Sequence, residues 1–210
     1  MSLHALKPRF QALLRPTAHT LYRLGLSANQ VTVVACGVSL LIGCVLSVAV
    51  ANGELRWLLV LPPWLLARMA LNAMDGMLAR EFGQVSPLGG YLNELSDLLA
   101  DAVLYLPFAL LAAPGSALLT GALIVLANVA EMAGALAMAN RAERRNDGPM
   151  GKSDRALALG TLALLLGGGV APGLWSSAAL MLIVLLLLPT IATRVRRGLA
   201  AGAAAGPRAE

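Results

Sequence analysis

The chain has 210 residues, of which 58% are hydrophobic and 13% charged, with a formal net charge of +5 and a mean hydropathy of +0.75. Soluble domains carry about twice that share of charge, so the composition excludes a soluble enzyme and implies an integral membrane protein of one domain, with room for about six spanning helices of roughly 20 residues. Cys36 and Cys44 ride up one apolar run about 12 Å apart, too far to bridge, and carry no redox message.

Residues 1–27 hold Lys7, Arg9, Arg15 and Arg23 and no acid, interleaved with Leu3, Leu6, Phe10, Leu13, Leu14, Leu21, Tyr22 and Leu24. This pattern predicts an amphipathic segment on a membrane surface. The first long apolar run, Val31 to Ala51, exceeds a signal-peptide core and reads as a retained spanning helix. Further spans are expected at Trp57 to Ala79, Leu88 to Ala112, Ala117 to Ala139, Arg155 to Val170 and Ser177 to Thr193, separated by Gly, Pro or polar clusters. The expected fold is thus an all-α membrane protein of six transmembrane helices around a polar cavity open to the cytoplasm, preceded by an amphipathic surface helix. Its parts are a juxtamembrane segment over 1–27, the membrane domain over 28–196 and a disordered Ala/Gly tail over 197–210. In this topology Arg56 alone lies outside and Arg68 within a helix, whereas all other basic residues fall on one side. That side is cytoplasmic by the positive-inside rule, and both termini face it.

The carboxylates concentrate between Asn72 and Asp101, where Asp75, Glu81, Glu94, Asp97 and Asp101 crowd into an otherwise apolar sequence. At about 100° per residue, Asn72, Asp75, Gly76 and Ala79 share one helix face. Gly89, Asn93, Asp97 and Asp101 recur every fourth residue and form a second stripe that drifts only about 40° per step. A short turn, Glu81 to Pro87, makes the two helices antiparallel, so the stripes can face each other. Clustered carboxylates at a membrane boundary repel one another and need cations, protons or water. Oxygen-rich sites of this kind suit Mg²⁺ or Mn²⁺, whose partners are typically phosphates. Gly76 and Gly89 would let backbone or substrate approach where a side chain would block it. The residues alone therefore predict a metal-assisted phosphate site opening to the cytoplasm.

The same stretch resembles the signature of the CDP-alcohol phosphotransferase (CDP-alcohol phosphatidyltransferase) family, D-x2-D-G-x2-A-R-x8-G-x3-D-x3-D. Asp75, Gly76, Ala79, Arg80, Gly89 and Asp97 match at the correct spacings, while Asn72 and Asn93 stand where the first and third aspartates belong. The segment "SANQVT", with Asn29 and Thr32, is similar to the family's lead into its first span. The wording "NAMDGMLARE", "LNE" and "GKSDRA" is similar to a YnbA-like bacterial branch. The resemblance implies six helices around a cytoplasmic cavity, usually as a homodimer, and a reaction in which an alcohol attacks the phosphorus of a CDP-linked donor and releases CMP. It implies divalent metal, Mg²⁺ or Mn²⁺, held by Asn72, Asp75, Asn93 and Asp97, with Asp97 also the catalytic base. It further implies that Asn29, Thr32, Gly76, Ala79, Arg80 and Gly89 line the nucleotide. Asp101 extends the stripe by one turn and is a candidate ligand compensating for the two asparagines; Glu94 adjoins Asn93 but points about 100° away.

Other polar residues have competing readings. Arg68, one turn before Asn72, could pair with Asp75 or meet substrate phosphate. Asn128 and Glu131, three residues apart in the fourth span, fit an interhelical hydrogen-bond network better than a substrate contact. Lys152 and Arg155 open the fifth span, where they could bind an anionic acceptor or serve as topological anchors. Pro107 is expected to kink the third span. His4 and His19 have no ligand-like partners.

The expected activity is transfer of a phosphatidyl or substituted phosphoryl group from CDP-diacylglycerol to an alcohol in phospholipid biosynthesis, at the bacterial inner membrane. The expected partners are that lipid donor, the acceptor, membrane lipids and a second copy of the chain, and not nucleic acid. Two other readings are a catalytically weakened nucleotide-binding homologue and a cation-binding transporter. A transporter would spread ionisable groups across the midplane or repeat them in two halves, and this chain does neither.

Overall fold

A computed structural model describes residues 7–140 and 143–204, and every regular element among them is helical. In order these are α1 (Lys7–Arg23), α2 (Ala28–Ala51), a 3-10 segment (Leu55–Val60), α3 (Leu61–Glu81), α4 (Pro87–Tyr105), a second 3-10 segment (Leu106–Leu110), α5 (Ser116–Ala139), α6 (Lys152–Gly167) and α7 (Leu174–Ala204). They divide into two compact units, Met1–Cys44 with Pro63–Leu104, and Val45–Pro62 with Tyr105–Glu210.

In the first unit, α1 buries Ala18 against Met74 and Met77 of α3, with Leu14, Leu21 and Leu71 around them. Its polar side is tied to the end of α3: two Arg15 guanidinium nitrogens donate to the Glu81 carboxylate, at 3.1 and 3.0 Å, and Phe82 stacks on Tyr22 and meets His19 edge-on. The exposed ion pair contributes little energy; the apolar face fixes the helix. Ser27 and Gln30 cap α2 reciprocally, the Ser-x-x-Gln box legible in the sequence.

The turn between α3 and α4 has a local cause. Gly83 adopts φ +68° while the Gln84 amide bonds back to the Ala79 carbonyl at 3.0 Å, a left-handed helix stop that favours glycine. Ser86 then accepts from the Gly89 amide at 3.0 Å, and Pro87 occupies the first helical position, where its missing N–H costs nothing. Gln84 also reaches the start of α2, accepting from the Ala28 amide at 2.7 Å. Farther along, a Cβ on Gly43 would sit 2.7 Å from the Val103 carbonyl carbon, so a glycine lets α2 approach the α4 backbone.

In the second unit, α5 and α7 pack through small residues: a Cβ on Gly198 would lie 3.2 Å from that of Ala137. The α5–α6 connection is pinned to both. The Arg145 amide donates to the Gly134 carbonyl at 3.1 Å, and the Met150 amide donates to the Thr190 hydroxyl at 3.0 Å. The N-terminus of α6 is capped by Asp154, which accepts from the Gly151 amide at 3.0 Å.

Four helical stretches are long and apolar enough to cross a membrane: Ala28–Ala51, Leu55–Glu81, Ser116–Ala139 and Leu174–Ala203. The protein is therefore an all-helical membrane protein, but two of the six expected spans do not meet that measure by themselves. α4 carries Glu94, Asp97 and Asp101 within its 19 residues. α6 has 16 residues, about 24 Å of helix against a hydrocarbon thickness of about 30 Å. The expected third span to Ala112 also stops earlier, at Tyr105, and Pro107 lies in the following 3-10 segment rather than kinking a continuous helix, because its ring favours the first turn of a new helix over the interior of an old one. α7 continues to Ala204, so residues 197–204 of the expected disordered tail are helical, in keeping with the alanine content there. Residues 205–210 of that tail, and His4 near the other end, lie outside the described residues.

Candidate functional site

Within the first unit the facing stripes of α3 and α4 come together as their periodicity predicts, and the contacts are specific. The Asn72 amide nitrogen donates to Asp97 Oδ1 at 2.8 Å. One Arg68 nitrogen donates to the same Oδ1 and to the Asp97 carbonyl, each at 3.1 Å. The other donates to Asp101 Oδ1. Arg68 is 4% exposed and Asp101 also 4%, so this is a buried ion pair, stable only because the guanidinium fork satisfies several acceptors at once. Arg68 thus pairs with Asp97 and Asp101, two acids of the facing helix. Helical spacing placed it correctly on the α3 face, but only the facing helix determines which acid it meets.

Asp75 is buried at 5% exposure and accepts from the Thr32 hydroxyl at 2.8 Å; Thr32 also lies 3.1 Å from the Ala28 carbonyl. Asn29 comes up against α4: a Cβ on Gly89 would lie 2.8 Å from Asn29 Oδ1 and 3.0 Å from Ser86 Oγ. At Gly76 the space that a side chain would fill is taken by Arg80, whose guanidinium nitrogen would lie 2.7 Å from such a Cβ. Both glycines therefore permit close approach, by side chains of this chain: Arg80 folds back over its own helix, and Asn29 reaches across from α2. Ala79, Asn93 and Asp97 are half-buried and Arg80 is exposed. The structure brings Asn29, Thr32, Asn72, Asp75, Gly76, Ala79, Arg80, Gly89, Asn93, Asp97 and Asp101 into this one unit.

A divalent cation suits the oxygen chemistry of these donors, with Asp75, Asp97 and the amide carbonyl of Asn93 able to hold it. Among the described residues no three His, Cys, Asp or Glu side chains converge into a ready metal cage. Amide oxygens can add to such a site, and Asp101, the further candidate ligand, pairs with Arg68.

The remaining two candidates, Lys152 and Arg155, belong to the second unit. Arg155 is fully buried; it donates to Glu131 at 2.9 Å, with the Tyr105 hydroxyl and Met150 carbonyl at 3.4 Å. Glu131 also takes Arg144 at 3.1 Å and Arg194 at 3.3 Å, which makes it the centre of the interhelical network expected of a mid-span acid. Arg194, 1% exposed, is further held by the Ala130 and Asp147 carbonyls. Lys152 is half-buried with its ammonium nitrogen enclosed. Arg194 escaped the sequence reading, where it counted only as one of several basic residues after the last span. Its spacing to Gly198 and Gly202 was the available signal, since small residues at every fourth position draw α5 close enough for a buried arginine to be held.

Outside the spans, Asp147 bridges Arg145 at 2.8 Å and Arg197 at 2.6 Å. Partial burial pushes its carboxyl up, but hydrogen bonds and charge from Arg197 and Arg145 outweigh this and hold it below its ordinary value.

The chain is similar to known proteins in sequence and in fold. The sequence profile of the CDP-alcohol phosphatidyltransferase family matches residues 26–196. Inner membrane protein YnbA of Escherichia coli K12 is 40% identical over 190 residues, covering 87% of this chain and 92% of the relative. An archaetidylinositol phosphate synthase of Pyrococcus horikoshii is 32% identical over 108 residues, 51% of this chain and 54% of that protein. The fold is similar to that of phosphatidylinositol phosphate synthase from Mycobacterium tuberculosis. Its complex with manganese and citrate superposes with a TM-score of 0.73 at 20% identity, over 93% of both chains. Its structure with CDP-DAG bound gives 0.72 at 19% identity, over 95% of this chain and 100% of that one.

Proposed function

The chain belongs to the CDP-alcohol phosphatidyltransferase family, and from that premise we propose that it is a divalent-metal-dependent enzyme moving a phosphatidyl group from CDP-diacylglycerol to an alcohol, with release of CMP. The observation that carries this reading is the Asp75–Asp97 arrangement on α3 and α4. It keeps the family's glycines and arginine in register, with Thr32 on one carboxylate and Asn72 on the other.

In the proposed reaction the acceptor oxygen attacks the lipid-bearing phosphorus, the bond to the bridging oxygen breaks, and CMP leaves. Asp97 takes the acceptor's proton; the donors on its Oδ1, Asn72 and Arg68, fix its plane. Thr32 orients Asp75, and Arg80 and Asn29 meet the nucleotide end. A bound Mg²⁺ or Mn²⁺ supplies charge neutralisation on the diphosphate. Lys152 meets the acceptor's anionic group, a role supported by its place at the start of α6, which Arg155 anchors on Glu131. A phosphorylated polyol acceptor is supported by what the archaeal and mycobacterial relatives are named for making. We place the chain in a bacterial inner membrane as a homodimer with six crossing helices and cytoplasmic termini. The name of the E. coli relative and the basic residues flanking the apolar runs support that placement.

The test is CMP release by the purified protein with CDP-diacylglycerol, Mn²⁺ and a panel of glycerol 3-phosphate, inositol phosphate, serine and free polyols. Acceptor-dependent CMP is expected. No CMP with any of these, from folded protein, would overturn the reading.

A further inference from the structure

α1 has more apolar surface than the fold buries. Leu14, Ala18 and Leu21 form the stripe that packs on Leu71, Met74 and Met77 of α3, whereas Phe10, Leu13 and Leu24 stay exposed, the two leucines at 75% and 72%. Leu24 is still in helical register, its amide bonded to the Thr20 carbonyl at 3.0 Å. At about 100° per residue, Phe10, Leu13, Thr17, Thr20 and Leu24 share a sector of roughly 80° beside the buried stripe, and Arg15, His19 and Arg23 take the remaining side. The Thr20 hydroxyl donates to the Pro16 carbonyl at 3.0 Å, which lets it leave water.

Two features of the first unit place this sector at a bilayer boundary. α1 runs into α2, a helix apolar enough to span, through residues 24–27 alone, turned by Gly25 at φ +78°. It also packs on Met77 and Met74, four and seven residues before Glu81, where α3 ends, or about 6 and 10 Å of helix. The polar side points toward that end, since Arg15 reaches Glu81 itself. The exposed apolar sector therefore sits at the depth of headgroups and first acyl carbons.

We propose that α1 docks on anionic phospholipid of the adjoining leaflet, with Phe10, Leu13 and Leu24 among the acyl chains and Arg23 on a headgroup phosphate. Charge selects the lipid. α1 carries Lys7, Arg9, Arg15 and Arg23 and no acid. Arg15 is held by Glu81 in two bonds, and the same pair neutralises a carboxylate that would otherwise repel a phosphate. Arg23, next to Leu24, is exposed and has no partner among the described residues. Its long stem lets the guanidinium rise to phosphate level while its neighbour stays in the chains. A zwitterionic headgroup brings its own cation to that phosphate, so a basic helix gains less from it.

The experiment places a bimane fluorophore on Leu24→Cys, in full-length protein that also carries Cys36→Ala and Cys44→Ala. The protein is reconstituted in phosphatidylcholine vesicles containing nitroxide-bearing phosphatidylglycerol or nitroxide-bearing phosphatidylcholine at equal mole fraction and low salt. Quenching should show an apparent preference for the glycerol lipid of about fivefold, the factor one arginine supplies near an anionic surface. Arg23→Gln should bring the two lipids close to equality. A label on Leu182→Cys, exposed on α7, should show no preference. Equal quenching at residue 24, a preference that survives Arg23→Gln, or the same preference at residue 182 each overturns the proposal. So does an absence of quenching by either lipid, the result if a second copy of the chain covers this face. None of these readouts depends on turnover.

Discussion

The two compact units each contain a buried ionic cluster, and the clusters are of opposite sense. In the first, the single guanidinium of Arg68 serves Asp97 and Asp101 beside a third acid, Asp75. In the second, the single carboxylate of Glu131 serves Arg144, Arg155 and Arg194. A buried charge without a partner is expensive, so each cluster contains one counter-ion that makes it tolerable. The clusters also differ in exposure. Asp97 retains 16% of its side-chain surface, whereas Arg155 retains none, so the acid is poised for contact and the arginine acts first as scaffold.

The largest expected effect tests the chemical role of the first cluster. Asp97→Asn should lower CMP release by about 10²–10⁴-fold, the usual share of a general base, while size-exclusion behaviour in detergent stays that of the parent, because an amide can still accept from Asn72 and Arg68. Near-normal turnover would make that cluster structural, like its counterpart.

The complementary break falls on the second cluster and should appear as stability. Glu131→Ala leaves Arg155 and Arg194 buried beside each other without their shared carboxylate, a loss on the order of 3–5 kcal/mol. A clear drop in the thermal unfolding midpoint is expected, and an unchanged midpoint would show the arginines to be satisfied without Glu131. Lys152→Ala sharpens the same contrast: if it meets an anionic acceptor, acceptor KM should rise about tenfold with donor KM nearly constant. Equal changes would return Lys152 to the role of an anchor.

The smallest effect concerns Asp147. Its carboxyl is held below the ordinary value in the folded protein, so its stabilising contribution is complete above the unfolded value of about 3.9 and disappears as pH falls through the lowered folded value. Asp147→Asn should therefore cost a few tenths to about 1 kcal/mol near neutral pH, as partly exposed pairs do. The difference from the parent in urea or thermal unfolding should vanish in strong acid. A difference that persists there would assign the effect to packing.

By itself the sequence determined the helices and the candidate site's place on them, since helix periodicity, apolar run length, the Ser27–Gln30 box and the Gly83–Pro87 stop act within a turn or two of chain. It therefore put Asn72 and Asp75 on one stripe and Asn93, Asp97 and Asp101 on the facing one, and it flagged Glu131 as a network residue. Only tertiary structure decided the pairing. That Arg68 meets Asp97 and Asp101, and that Arg194 is a buried member of the Glu131 cluster, depends on the rotation and approach of a second helix. Those are set by packing at particular small residues, such as Gly43 beside Val103 and Gly198 beside Ala137. Contacts between residues tens of positions apart have no periodic trace in the chain, and in a buried site the choice among counter-ions belongs to whichever side chain the packing brings within hydrogen-bonding distance.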